Sequence, residues 1–182
     1  QSLTKYAQRI TNGGEAIAVI SDALRHLQSG RPRPVGIEIP VNVWKQNIST
    51  ELADLMVKAD ANPVISSDDV NRAILLIKKA QKPLIVVGSG AQNSSLEVTR
   101  LADAISAPVA AFRTGHGVVS AKHDLCIGLP EAHSLWRQCD LVIGLGTRLQ
   151  TQQMQWGVDD GLAIIHIDID DRVIGRINEP TL

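Results

Sequence analysis

The stretch Pro83-Leu84-Ile85-Val86-Val87-Gly88-Ser89-Gly90 decides the fold of this 182-residue chain. Its apolar run is short, rich in β-branched residues and preceded by proline, which is typical of a strand that is buried on both faces. Gly88 and Gly90 allow the backbone to turn sharply, and a helix-like segment begins at Ser95. A buried strand followed by a glycine turn and a helix predicts the first half of a βαβ unit.

The same glycine turn is a candidate phosphate site, because the N–H groups at the start of the next helix would point towards it. A dinucleotide fingerprint, however, requires a third glycine where this chain has Asn93, and the position after the next strand is Arg113 rather than an acid. The sequence therefore disfavours a nicotinamide site. It leaves open a phosphate-binding turn and a turn with a purely structural role.

From residue 68 onwards the chain alternates between helical and strand patterns. Ser67 is the expected N-cap of the first helix, and Asp68 and Asp69 lie in its first turn. The helices are predicted at 68–80, 95–106 and 131–138, and the strands at 84–87, 108–112, 141–143 and 163–167. Apolar strands that alternate with helices predict an α/β fold, a three-layer Rossmann-like parallel sheet with helices on both faces.

The N-terminal part forms a separate pattern. Residues 14–28 carry the apolar stripe of a one-sided helix with Gly30 as its C-cap, and residues 35–39 are predicted as a strand that Pro40 ends. No partner strand is evident, so we interpret this αβ piece as part of a neighbouring domain. A polar stretch at 46–67 is predicted to be a linker, which gives segments 1–45, 46–67 and 68–182.

Composition excludes several classes of function. The 18 basic and 19 acidic residues give a net charge of -1 without a basic block, and aromatics are only 3%, so nucleic acid is not an expected partner. No signal peptide or apolar run suggests a membrane. Cys126 and Cys139 are expected to be buried free thiols, which favours the cytoplasm. The histidines lack metal-ligand spacing, so no metal site is predicted.

The carboxyl ends of the predicted strands carry the candidate site, since ligands of open parallel sheets bind there. These ends read Gly88-Ser89-Gly90, Arg113-Thr114-Gly115-His116-Gly117, Gly144-Leu145-Gly146-Thr147-Arg148 and Asp168-Ile169-Asp170-Asp171. Glycines, two arginines and terminal acids at one edge favour a phosphate-containing ligand whose ribose hydrogen-bonds Asp168. The alternative is that glycines and charges simply occupy the loops at the sheet edge.

Four stretches in this order resemble thiamine-diphosphate-dependent enzymes of the acetolactate synthase, pyruvate oxidase and benzoylformate decarboxylase type. They are Gly30-Arg31-Pro32-Arg33-Pro34-Val35-Gly36-Ile37-Glu38-Ile39-Pro40-Val41, Lys82-Pro83-Leu84-Ile85-Val86-Val87-Gly88-Ser89-Gly90, Asp140-Leu141-Val142-Ile143-Gly144-Leu145-Gly146-Thr147-Arg148 and His166-Ile167-Asp168-Ile169-Asp170. The resemblance implies that residues 1–45 are the end of the N-terminal pyrimidine-binding domain. The remainder resembles the central domain.

The resemblance also implies a chemistry. In such enzymes a thiamine carbanion attacks a 2-oxo acid, carbon dioxide leaves, and the acyl unit passes to an acceptor. The family's activating glutamate and its magnesium-diphosphate motif match nothing here, and Asp159-Asp160-Gly161 precedes a strand instead of following one. We therefore expect no catalytic residue in this chain. Thiamine diphosphate and magnesium would bind to the remaining domains of the same enzyme, a homodimer or homotetramer.

The central domain of some members holds FAD, and the resemblance implies contacts at matching positions. These are Gly88, Ser89, Gly90, Phe112, Arg113, Thr114, Leu129, His133, Gly146, Thr147, Arg148, Asp168 and Ile169. Two stretches depart from the acetolactate synthase pattern. Leu129-Pro130-Glu131-Ala132-His133-Ser134 replaces a methionine-rich run, and Gln150-Thr151-Gln152-Gln153 lacks a second arginine. FAD binding and a vestigial site remain alternatives, as does a free-standing nucleotide- or flavin-binding module.

Overall fold

The computed structural model describes residues 3–48 and 57–182, and the chain divides into two compact units, Gln1–Pro63 and Val64–Leu182. Each unit is described separately. Part of the predicted linker, 49–56, lies outside the described residues, and 57–66 contain neither helix nor strand. The segment boundaries at 45 and 67 stay a prediction.

The first unit is a single βαβ motif. It consists of β1 (Tyr6–Arg9), a 3₁₀ turn, α1 (Ala16–Gln28) and β2 (Val35–Glu38), and the two strands pair in parallel with Tyr6 opposite Val35. Ile10, Val19 and Val43 form its small buried core. The expectation of a strand without a partner was wrong. The sequence Tyr-Ala-Gln-Arg lacks the apolar alternation of a strand, and most of its residues are exposed.

The second unit contains a five-stranded parallel sheet. Its strands are β3 (Pro83–Val87), β4 (Val109–Ala111), β5 (Cys126–Ile127), β6 (Leu141–Leu145) and β7 (Ala163–Ile167). They lie in the order β5-β4-β3-β6-β7, and every neighbouring pair is parallel. The predicted α/β fold is confirmed. Strand β5 was not predicted, because two residues are too short to give a sequence pattern.

Three helices accompany this sheet, α2 (Ser67–Lys79), α3 (Ser95–Ile105) and α4 (Leu129–Trp136). Helix α2 begins one residue earlier than predicted, with Ser66 as its N-cap. The Ser66 hydroxyl oxygen accepts a hydrogen bond from the Asp69 N–H at 3.0 Å. Helix α4 begins at Leu129 with Pro130 in its first turn, two residues ahead of the prediction.

The sheet is covered on both faces. Ile85 and Val87 of β3 belong to one core cluster, against which residues of α2 and α3 pack. Leu84 and Val86 point to the opposite face and pack with Trp136 of α4 and with Trp156. This alternation produces the three layers that the apolar strands predict. Among the described residues, no helix has the length and apolarity needed to cross a membrane.

Candidate functional site

The strand order places a topological switch point between β3 and β6. The chain leaves β3 towards β4 on one side, whereas β6 lies on the other side and continues to β7. Because all the strands are parallel, the loops after β3, β4, β6 and β7 meet at one edge of the sheet. The fold therefore brings the predicted residues of these four loops to the edge where open α/β sheets bind ligands.

Glycines at the switch point allow two loops to touch. A Cβ on Gly90 would lie 2.7 Å from the Gly146 Cα, and one on Gly88 would lie 2.4 Å from the Gly146 oxygen. The Gly88 N–H donates to the Leu145 oxygen at 3.0 Å, and the Gly90 N–H donates to the Gly146 oxygen at 3.0 Å. These two N–H groups are committed to the fold, so a phosphate at this edge would need other donors.

The loop after β4 is clamped to the turn after β3. The Gln92 Nε2 donates to the Thr114 oxygen at 2.7 Å and to the His116 oxygen at 3.0 Å. Arg113 has a left-handed backbone with φ of 47°, and its guanidinium carbon lies 5.3 Å from the centroid of the Phe112 ring. Arg113 is exposed, so this anchored loop presents a cation at the sheet edge.

The loop after β6 holds a second exposed arginine between buried neighbours. Thr147 is buried, and its carbonyl oxygen lies 2.8 Å from the His166 Nε2. Since a carbonyl can only accept, Nε2 carries the hydrogen. Leu149, with φ of 49°, is buried against Gly144, where an added Cβ would lie 2.5 Å from the Leu149 Cδ1. Arg148 itself is exposed.

The loop after β7 carries the acidic end of the site. The half-buried Asp168 side chain accepts from the Asp170 N–H at 2.9 Å. Asp170 is buried and pairs with the Arg172 Nε at 2.9 Å. This ion pair raises the pKa of Arg172. Ile169 lies between the two acids and is exposed.

The two predicted contacts on α4 have different settings. Leu129 begins the helix two residues after the carboxyl end of β5, and because β5 is parallel to β4 it lies at the same edge as the strand-end loops. The exposed His133 stacks on Trp156, with ring centroids 5.1 Å apart, and Trp156 meets the edge of Trp136 at 5.4 Å. The described contacts of His133 thus join it to an aromatic cluster and not to the strand-end loops.

Three buried polar residues near this edge were not predicted as site residues: Gln152, Gln153 and His166. Asp170, predicted as one of the terminal acids of the edge, is buried as well. Gln152 and Gln153 lie in a π-helical turn, Gln152–Trp156, that follows the β6 loop. A glutamine-rich stretch is normally solvated, and only the chain's return onto the sheet buries it. No sequence signal could have identified these glutamines.

A separate groove lies at the opposite, amino edge of the sheet. It has a cavity volume of about 270 Å³, and Lys82, Pro83, Ser106, Pro108 and Cys139 are among its lining residues. Burial raises the pKa of the Cys139 thiol to about 11, with Asp140 adding to the effect. A thiol with so high a pKa is a poor nucleophile. We therefore favour the carboxyl edge, which carries the charged loops, over this groove.

The two cysteines are free and half-buried, so the expectation of full burial was too strong. Within residues 3–48 and 57–182, no group of three or more histidine, cysteine or acidic side chains is arranged to hold a metal ion.

Comparison with known proteins shows which family the chain resembles. Residues 70–182 match the model of the thiamine pyrophosphate enzyme central domain. The chain is 30% identical over 188 residues to the acetolactate synthase isozyme 1 large subunit of Escherichia coli K12, covering 98% of this chain and 33% of that protein. It is 27% identical over 192 residues to glyoxylate carboligase of Escherichia coli O157:H7, covering 99% and 32%.

A plant relative shows the same pattern of coverage. The chain is 26% identical over 196 residues to acetolactate synthase 3, chloroplastic, of Brassica napus, covering 99% of this chain and 29% of that protein. The chain thus spans about a third of the length of the curated relatives that it matches.

Proposed function

The chain belongs to the family of thiamine pyrophosphate enzyme central domains, and we propose that it serves as the central domain of a thiamine-diphosphate-dependent carboligase or decarboxylase most like acetolactate synthase. The observation that carries the proposal is the family match over 70–182, which contains the whole five-stranded sheet. The family resemblance inferred from the sequence is confirmed.

The proposed enzyme acts on a 2-oxo acid. Thiamine diphosphate, when bound, supplies the nucleophilic carbanion that accepts the acyl group. Its binding and activating residues belong to the remaining domains of the polypeptide. The residues of this chain form the scaffold between those domains.

A nucleotide such as FAD is the proposed ligand of the carboxyl edge. Arg113 and Arg148 are exposed cations on the loops after β4 and β6, the two strands that flank β3, and guanidinium groups suit a diphosphate. Asp168 supplies a half-buried carboxylate for a ribose hydroxyl. The Gly88 and Gly90 N–H groups already donate to backbone carbonyl oxygens. The arginine side chains are therefore better placed than these N–H groups to bind the diphosphate. FAD would supply a redox-active ring at this edge.

Nucleotide titrations test this ligand. FAD and ADP should bind the wild-type chain, and Arg148→Ala should weaken both by about tenfold, the scale of one charge-assisted hydrogen bond. Arg137→Ala is the matched control, because Arg137 is an exposed arginine at the far end of α4. Equal affinities for wild type and Arg148→Ala would remove Arg148 from the site.

The enzyme itself is tested on the complete reading frame that encodes this chain. The purified product should release carbon dioxide from a 2-oxo acid such as pyruvate or glyoxylate, and the release should depend on thiamine diphosphate and magnesium. A product that neither binds thiamine diphosphate nor consumes any 2-oxo acid would contradict the proposal.

A free-standing nucleotide- or flavin-binding module is the second candidate, and the five-stranded sheet that the second unit forms alone favours it. The first unit favours the central-domain proposal, because a two-stranded parallel sheet needs further packing for stability. If the complete reading frame lacks thiamine diphosphate motifs both upstream and downstream of this chain, the free-standing module is the correct reading.

We further propose that the enzyme is a cytoplasmic homodimer or homotetramer. Its free, half-buried thiols suit a reducing compartment. Light scattering on the full-length product measures the subunit number.

A further inference from the structure

Buried polar side chains of the second unit gather beyond the carboxyl ends of β6 and β7. They are Thr147 at 7% exposure, Gln152 at 1%, Gln153 at 6%, His166 at 6% and Asp170 at 4%. Polar groups are rarely buried without a hydrogen-bond partner, so each of them needs an explanation.

Three of these residues have partners in the fold. The His166 Nε2–H donates to the Thr147 carbonyl oxygen at 2.8 Å, the Thr147 hydroxyl oxygen accepts from the Leu149 N–H at 3.4 Å, and Asp170 pairs with Arg172. Gln152 differs from them. Within the described residues, neither its Oε1 nor its Nε2 has a hydrogen-bond partner, although both atoms are buried.

Gln152 lies close along the chain to the loop after β6, which forms one side of the switch point. It opens a π-helical turn four residues after Arg148, and such turns are frequent at functional sites. The segment that contains it, 150–156, lies between two left-handed residues, Leu149 with φ of 49° and Gly157 with φ of 86°. Since Gln152 is 1% exposed, a ligand can reach it only when this segment moves.

We propose that Gln152 determines the ligand specificity of the carboxyl-edge site by pairing its carboxamide with the adenine ring of an adenine nucleotide. This inference rests on the nucleotide site proposed above. A carboxamide presents one acceptor and one donor side by side, and adenine presents the complementary donor at N6 and acceptor at N7. Guanine presents two acceptors at the corresponding positions and cannot make both bonds. The bonds to adenine satisfy the amide that the unliganded fold leaves unpaired.

Isothermal titration with ADP, GDP and FMN tests the inference. Wild type should prefer ADP to GDP by about tenfold, as a bidentate contact to a base provides. Gln152→Met keeps the shape of the side chain without its polar atoms. It should lower the affinity for ADP by about the same factor and leave the affinity for GDP unchanged. Gln155→Met is the matched control, because Gln155 lies exposed in the same turn.

Thermal unfolding supplies a second readout that does not depend on a ligand. Removing an unpaired buried amide should raise the Tm of the unliganded chain, so Gln152→Met should melt above wild type. Gln152→Leu repeats the test with a different apolar shape. If both variants melt below wild type, the amide is satisfied in the unliganded fold, for example by an internal water, and the inference is overturned.

The titrations separate this inference from the proposed function. If wild type binds ADP and Gln152→Met binds it equally well, the nucleotide site stands and the role of Gln152 is overturned. If FMN binding depends on Gln152 and ADP binding does not, the amide hydrogen-bonds a flavin ring and the assignment to adenine is wrong. If wild type binds none of the three nucleotides, the site itself is overturned.

Discussion

Gly90 and Gly146 approach so closely that neither position can carry a side chain. A Cβ built on Gly146 would lie 2.4 Å from the Gly90 Cα, and one built on Gly90 would lie 2.7 Å from the Gly146 Cα. The contact joins the loops after β3 and β6 at the switch point of the sheet. The candidate site is therefore built on two strand ends that the glycines hold together.

Gly146→Ala should lower the free energy of unfolding by about 2–4 kcal/mol, because it adds both a steric overlap and a left-handed alanine. Gly146 has φ of 56°. Gly161→Ala is the control, since a Cβ there meets nothing within 4 Å, and it should leave stability nearly unchanged. Urea denaturation of both variants measures the difference. Equal stability of Gly146→Ala and wild type would show that the two loops can separate freely.

Asp140 should stabilise the start of the sheet by fixing the turn before β3. Its carboxylate accepts from the Gln81 N–H at 2.6 Å and from the Lys82 N–H at 2.9 Å. Asp140→Ala leaves these donors without their carboxylate and should lower the free energy of unfolding by about 1–3 kcal/mol. Asp159→Ala, in an exposed loop, is the control. A variant as stable as wild type would show that water replaces the carboxylate fully.

The contribution of Asp140 should also depend on pH. Burial raises its pKa, but the backbone hydrogen bonds from Gln81 and Lys82 prevail, and the net pKa lies below the ordinary 3.8. The stabilisation is thus present above pH 3.8 and is lost as the pH falls through the lower folded pKa. Urea titrations at several acidic pH values should show the gap between wild type and Asp140→Ala closing.

Cys139 should make the fold less stable at alkaline pH. Burial, with Asp140 as a second cause, raises its pKa from 9.0 to about 11, so between these values the unfolded chain loses the thiol proton while the folded chain keeps it. The free energy of unfolding therefore falls as the pH rises through this window. Cys139→Ala should lose this part of the pH dependence, whereas Cys126→Ala should retain it. Identical alkaline profiles for the two variants would argue against the shift.

The 182-residue chain alone should release no carbon dioxide from pyruvate in the presence of thiamine diphosphate and magnesium. The physical reason is that the residues matching the family's activating glutamate and its magnesium motif are not found in this sequence. A carbon dioxide release assay against a protein-free blank measures the activity. Turnover above the blank would place catalytic groups within the chain itself.

The sequence determined the architecture of the second unit. The apolar strand 84–87 requires burial on both faces, and so do the later apolar strands that alternate with helices. A parallel sheet between two layers of helices meets that requirement. The strand-end loops could be predicted as a group for the same reason, because parallel strands place all their carboxyl ends at one edge. The family resemblance followed from three stretches that include strand ends of this sheet, 82–90, 140–148 and 166–170, together with 30–41 of the first unit.

The tertiary structure alone decided which groups in and near those loops are hydrogen-bonded and which are buried. The hydrogen bonds that commit the Gly88 and Gly90 N–H groups come from β6 and its loop, more than fifty residues away along the chain, so no local pattern could indicate them. Strand β1 depends on pairing with β2 and has little apolar signal of its own. Gln152 is polar in sequence and becomes buried only in the folded unit, where Leu149 and Trp156 on either side of it pack against the sheet. Burial and pairing are properties of the three-dimensional contacts between distant segments, and a side chain's own polarity does not determine them.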